Sequence, residues 1–528
     1  MTVERFQYIG LENTCFYNNQ TIVNVDCNYT PWVNNSMENA FYGCINLQSI
    51  TNLNQDVTSM WRCFDRCYSL INAPIIPRSV TNMGHTFSEC RNLENAPVIP
   101  NSVTMLRHAF NGCYKLENMP VIPNSVTNMY GTFSLCNNLI NITTIPNSVI
   151  DLNQTFWHCS NLTIAPTIPN SVINMYQTFS GCTKLLNTPT IPESVLYIES
   201  TFYNCFELAE ANINSSNINI AKGTFQYCNN LINANIIIPN ATNITNIFDN
   251  CSKLTNVYAE FNSISSVANL FRDKHVLKSA NISAQNATNA FGLFYQCYNL
   301  TDVELNIPNI TDLSFGFTYC FDLEEIPPLP NSVVSLREAF ERCEKLINAP
   351  IIPNSVTDMA YAFYQCYSLT NAPIIPNSVS ELRQTFENCN SLVNAPNIPS
   401  SINDIWRTFA GCSNLTGDIF IQSNQITNAI NCFYNTSLRK NVYIPFTYMN
   451  GEHTTTYNSF IAAGYDTLGT KEGVYLMELP DQYAIYDNEY TTTFEDMNTT
   501  TQIANKAHLM QYIGSEGNVI VPYGLEQG

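Results

Sequence analysis

The stretch INAPIIPRSVTNMGHTFSEC, residues 71–90, is followed at 94–113 by ENAPVIPNSVTMLRHAFNGC, nearly the same words in the same order. Each copy pairs two prolines with a short apolar run and closes on cysteine. Working outward from this pair, cysteines stand at 44, 67, 90, 113, 136, 159, 182, 205, 228 and 251, then at 297, 320, 343, 366, 389 and 412. Every step is 23 residues except one of 46, and the missing rung is Lys274. Phe271 and Leu277 flank it in the register that an aromatic and Leu hold around most of the cysteines, so the count survives the substitution. A final unit carries Phe433, with Thr436 at the rung after one inserted residue.

Counted from Cys, the unit reads C-x-x-L-x-N-A-P-x-I-P-N-S-V-T-N-M-x-x-T-F-x-x, with apolar anchors at positions 1, 4, 10, 14, 17 and 21. These spacings fit neither a single helix nor a single strand. A unit this short cannot bury its own anchors, whereas stacked copies bury them continuously. The expected fold is a repeat solenoid of about 17–18 coils of 23 residues, built from short strands and turns. Prolines at positions 8 and 11 and the Asn-Ser pair after them impose a turn on each coil. In the unit that begins at Cys67, extended segments are expected over 70–76 and 80–83, with one helical or 3₁₀ turn across Thr-Phe-x-x-Cys. The chain then divides into an N-terminal cap or arm (1–30), the solenoid (31–450) and a C-terminal cap or attachment domain (451–528), the last with eleven acidic residues against two basic.

Of the 528 residues 45% are hydrophobic and 12% charged, enough apolar material for a large core. A net charge of −20 argues against nucleic acid, whose phosphates select clustered Lys and Arg. The first twenty residues lack the basic and apolar regions of a secretory signal, and no run approaches the ~18 apolar residues of a membrane span, so membrane insertion is not expected.

One cysteine per coil gives a column of Cys67, Cys90, Cys113, Cys136, Cys159 and Cys182, and again of Cys343, Cys366, Cys389 and Cys412. The preferred reading is a buried ladder of small apolar thiols. Disulfides are the alternative, since a coil spacing near ~5 Å falls within their Cα range, but a regular column offers no unique pairing. Cys15 and Cys27, outside the ladder, could form one bridge. No cysteine or histidine cluster has metal-ligand spacing, so neither metal nor cofactor is expected.

Residues 99–116, IPNSVTMLRHAFNGCYKL, and 352–369, IPNSVTDMAYAFYQCYSL, carry a pattern that resembles the BspA-type leucine-rich repeat, and the resemblance spans roughly 31–440. It implies a leucine-rich-repeat solenoid without enzymatic activity, of a kind that serves adhesion or binding on bacterial surfaces, in protist parasites and in gut bacteriophages. The chain departs from the pattern in favouring Met or Leu where Ile is usual and in adding N-A-P before I-P.

Positions 18 and 19, free of anchors, carry Trp61, Arg62, His85, Arg107, Tyr130, Tyr176, Tyr361, Arg383, Trp406 and Arg407. Aromatics and Arg dominate binding hot spots, and aromatic faces stack on sugars. The competing reading is that they pack along the coil stack as neighbours of one another. His85 and His108, one coil apart, could share a metal, and Glu338 and Glu341 could be the acid pair of a glycosidase; both readings are disfavoured. Lys274, a lysine in an apolar column, is expected to mark a bend or an interface. The function expected is non-enzymatic binding, as a bacteriophage virion surface or fibre component touching a host-surface glycan or protein, with other virion proteins or copies of itself as further partners. The alternative is an extracellular or cell-surface BspA-like adhesin, and a solenoid polysaccharide-degrading enzyme ranks below both.

Overall fold

The computed structural model describes residues 4–5, 15–27, 31–436, 440–447, 451–469, 471 and 474–479. They form two compact units, one of Met1–Thr288 with Cys297–Ile307, the other of Asn289–Gln296 with Pro308–Gly528. Both are stacks of coils in which residue i lies beside residue i+23, through isolated parallel bridges such as Asn72↔Asn95 in the first and Asn348↔Asn371 in the second. The solenoid predicted by the 23-residue period is the fold.

Its core is a set of columns. Phenylalanine rings stack from Phe41 to Phe271 in the first unit, each centroid 5.5–6.0 Å from the next. Phe294 to Phe433 do the same in the second at 5.2–5.9 Å. Such aromatic pairs contribute about 0.5–1.5 kcal/mol each beyond burial. Three hydroxyl or thiol columns then satisfy carbonyls of the preceding coil. Ser102 Oγ donates to Val80 O at 2.6 Å, Thr132 Oγ1 to Leu106 O at 2.9 Å and Cys136 Sγ to Phe110 O at 3.1 Å. The Asn or Asp before the Met anchor caps its turn, as Asn174 does by accepting from the Tyr176 amide at 2.9 Å.

The Thr-Phe-x-x-Cys piece is not the helical or 3₁₀ turn expected. It is a run of tight turns: Thr86 N–H donates to Met83 O and Cys90 N–H to Phe87 O, with His85 (φ 53°) and Glu89 (φ 58°) left-handed at the third position of each. That is the geometry of type II turns. Between them, alternate amides reach the next coil: His85 to Arg107 O, Phe87 to Ala109 O and Glu89 to Asn111 O. The left-handed conformation costs about 1–2 kcal/mol in a non-glycine residue. It is offset here because it leaves each of those amides a partner one coil away.

Regular strands appear where proline disappears. In the first unit β1 (Glu4–Arg5), β2 (Asn24–Asp26) and β3 (Ser49–Thr51) pair in parallel near the N-terminus. After the Pro-containing coils come β4 (Glu210–Asn214), β5 (Asn233–Ile237), β6 (Asn256–Glu260), β7 (Ser279–Ser283) and β8 (Asp302–Asn306), one parallel sheet in that order. Proline lacks the N–H that a ladder needs, so the coils with two prolines manage only single bridges. The segment 15–27, expected to lie in a cap or arm, carries a coil of its own: Phe16 stacks on Phe41 at 4.9 Å, and Cys44 Sγ donates to its carbonyl at 2.9 Å.

The second unit ends in β9 (Ile419–Phe420), β10 (Lys440–Ile444) and β11 (Val474–Glu478), also parallel, with α1 (Thr455–Ala462) between the last two. Thr454 starts α1 by accepting from the Tyr457 amide at 3.0 Å, a cap of the favoured type. Phe460 and Tyr465 then lie 6.4 and 5.8 Å from Phe433, covering the end of the ring column. The weak repeat echoes read at Gln7–Gly10 and Gln511–Pro522 lie outside the described residues.

Candidate functional site

In the first unit the turn columns bring four of the position-18 and position-19 rings together. Trp61 lies edge-on to His85 at 4.9 Å, His85 stacks on His108 at 4.8 Å, and His108 meets the edge of Tyr130 at 4.8 Å. All four are half-buried. Trp61 can lie on the next coil because Gly84 stands beneath it; a Cβ there would come within 2.1 Å of the indole. Burial first, then the neighbouring His108, Arg62 and Arg107 charges, push His85 down to about 4, and burial and Arg107 lower His108 as well. Both imidazoles are therefore held toward the neutral form. Arg107, exposed, sits 4.9 Å from the Tyr130 ring. The two imidazoles present their faces to one another, 30° from parallel, which does not converge their nitrogens on a metal.

The remaining sequence candidates do other work. Arg62 holds the buried Asp65 at 3.2 Å, yet burial outweighs it and pushes that carboxyl up to about 6. Tyr176, two coils beyond Tyr130, is half-buried and stands outside the ring column. In the second unit Arg383 bonds Asp404 at 2.8 Å, with Glu381 at 3.6 Å. Arg407 takes both oxygens of Glu387, whose residue is only 3% exposed, with the Nε contact at 2.9 Å. Trp406 and Tyr361 are half-buried beside these ion pairs, Tyr361 6.1 Å from Tyr364. Glu338 and Glu341 are hydrogen-bonded to each other; burial, then its neighbour, pushes Glu341 up to about 7.

Cysteines 67 to 182 and 343 to 412 of the ladder form no disulfide and are fully buried, and no disulfide joins Cys15 to Cys27. Burial raises the ladder thiols, Cys251 and Cys412 to about 12. Lys274 is 7% exposed, its Nζ donating to Arg272 O at 3.2 Å, while Asp273 turns to Arg272 at 3.6 Å.

One surface was missed. The outer face of β4–β8 carries Asn212, Asn235, Tyr258, Asn281 and Glu304 in one row, over a groove of about 410 Å³. Its amides bond head to tail along another row, Asn256 to Asn233 at 2.8 Å and Asn233 to Glu210 at 2.7 Å. The signal was present as alternation in ANIN, NVYAE and SANIS.

A stacked-coil scaffold with a buried thiol ladder defines the class: a repeat solenoid. The sequence profile of the BspA type leucine rich repeat region (6 copies) matches residues 5–117, 107–232, 152–276, 233–347 and 336–459, and the chain belongs to that family. It is thus a surface-associated, non-enzymatic binding scaffold for protein or glycan partners, and among the described residues no helix is long and apolar enough to cross a membrane. The chain has no match among the curated proteins. It is similar in structure to a leucine-rich repeat protein from Bacteroides ovatus, with 20% identity over 79% of this chain and 92% of that one and a TM-score of 0.44. It is also similar to a leucine rich cell surface protein from Faecalibacterium prausnitzii, at 18% identity over 75% and 83% and a TM-score of 0.29.

Proposed function

We propose that the chain is a cell-surface recognition or adhesion protein that seats its partner against the column Trp61–His85–His108–Tyr130, with Arg107 at its edge. The observation that carries this reading is the column itself: four half-exposed rings in contact over four successive coils. Flat aromatic surface held without rotamer freedom is the kind that anchors proteins and sugars. The arginines of the second unit serve less well, because Arg383 and Arg407 already neutralise Asp404 and Glu387. Placement on a bacteriophage particle, the sequence expectation, has no observation behind it beyond that expectation; a cell surface is the reading that membership in a surface-associated family supports. Nor does the reading require a second copy of the chain.

The test is an array of glycans and extracellular proteins probed with wild type and with the Trp61→Ala/Tyr130→Ala double variant. The expected result is a loss of more than about tenfold in affinity, the scale of two hot-spot truncations, with circular dichroism and melting temperature preserved. Undiminished binding by the variant would return the ring column to a packing role.

A further inference from the structure

Among the described residues of the first unit, the turn ladder between coils is interrupted at Ile244–Asn250. One coil earlier, the amides of Ala221, Gly223, Phe225 and Tyr227 donate to the carbonyls of Asn243, Thr245, Ile247 and Asp249. The equivalent amides of Ile244, Asn246, Phe248 and Asn250 meet no acceptor among the described residues, and the carbonyls of Ala268 and Leu270 meet no donor. The parallel bridge Ile220↔Asn243 likewise has no successor at Asn243. On the strand side nothing is lost, since β5, β6 and β7 pair over all five residues. Between the two sides, the rings of Phe248 and Phe271 still touch at 5.8 Å but tilt by 24°, against 9° for Phe225 and Phe248. The coils diverge from strand to turn, and the gap is a cleft of about 950 Å³.

The cause lies at the rung. Cys251 and Cys297 each donate to the phenylalanine carbonyl 26 residues earlier. At the intervening rung Lys274 is too long for that contact; its ammonium bonds Arg272 O instead, with no carboxylate among the described residues paired to it. A lysine only 7% exposed and without a counter-charge is costly unless something supplies one.

We propose that this cleft docks an extended peptide segment bearing a carboxylate, whose main chain completes the interrupted ladder and whose acid pairs with Lys274. One wall offers N–H groups at alternate residues, 244 to 250, and the other offers carbonyls at 268 and 270. A polypeptide backbone presents acceptors and donors in that alternation, as in strand addition to a sheet edge. Asn246, Asn250 and Asn269 on the walls suit polar side chains, while Asp249 and Asp273 disfavour a densely charged polyanion. The site is independent of the ring column, so either can fail without the other.

A random ten-residue peptide display library panned on the full wild-type chain tests it, with hydrogen exchange on the selected peptides. The expected outcome is enrichment of Asp or Glu, protection of the Ile244, Asn246, Phe248 and Asn250 amides, and affinity more than about tenfold weaker on Lys274→Met, as removal of one partner of a buried charge pair requires. Lys274→Cys, which restores the common rung, should bind as poorly while remaining folded. A library yielding no binder to these amides, peptides without acidic enrichment, equal affinity for Lys274→Met, or tighter binding of glucuronate than of any peptide would each overturn the proposal.

Discussion

At the scale of single residues, the account turns on why each coil ends in cysteine. The side chain must be small enough for a column sealed from solvent and must still offer one donor, because the Phe carbonyl of the previous coil is buried with it. Cys136→Ala should destabilise by about 1–2 kcal/mol, through the lost thiol hydrogen bond to the Phe110 carbonyl, which keeps only the Cys113 amide, and the small cavity left behind. Urea titration measures this, and added reductant should leave the wild-type midpoint unmoved; a reductant-dependent midpoint would mean that disulfides contribute. Glu341 makes a second residue-scale prediction. Its folded pKa, about 7, lies above the 4.5 of a free carboxyl, so the folded state holds the extra proton between those values. The associated stability is complete below pH 4.5 and is lost as pH rises through 7. Glu341→Gln should therefore raise the melting temperature at pH 8 by a few degrees at most, given solvent screening, and leave it little changed at pH 4. An equal shift at both pH values would contradict this. The thiol column could be read from the 23-residue count, but its acceptors could not, since each lies 26 residues away and becomes a neighbour only once the coils stack.

At the scale of elements, proline decides between bridge and strand. The coils with N-A-P-x-I-P form single bridges, and the coils of β4–β8, without those prolines, form five-residue ladders from the same 23-residue unit. Asn235 lies in β5 between β4 and β6 with its side chain exposed, so Asn235→Pro deletes one ladder hydrogen bond with little loss of packing. The expected cost is about 1–3 kcal/mol in a denaturant titration, and a change below experimental error would show that these ladders add nothing over the bridges. The turn elements were less legible. Thr-Phe-x-x-Cys reads as helical because nothing in it marks a left-handed residue: His85 and Glu89 take positive φ for the sake of partners 22 residues on. The ion pairs were hidden in the same way, Arg383 to Asp404 and Arg407 to Glu387 spanning 21 and 20 residues. Aromatic and arginine positions were visible in sequence, but which of them were already occupied was not.

For the whole molecule, one relation recurs: a group on one coil satisfies a group on the next, and within the first unit that relation is broken on the turn side at Ile244–Asn250, beside the one rung that is lysine. The period alone carried the fold. Hydrogen exchange followed by mass spectrometry on the ligand-free chain tests the central claim most directly. The account predicts slow exchange at the turn amides of intact coils, such as His85, Phe87, Glu89, Gly223 and Phe225, and rapid exchange at Ile244, Asn246, Phe248 and Asn250. Uniform protection running unbroken through residues 244–250, or rapid exchange at the turns of the intact coils, would contradict it.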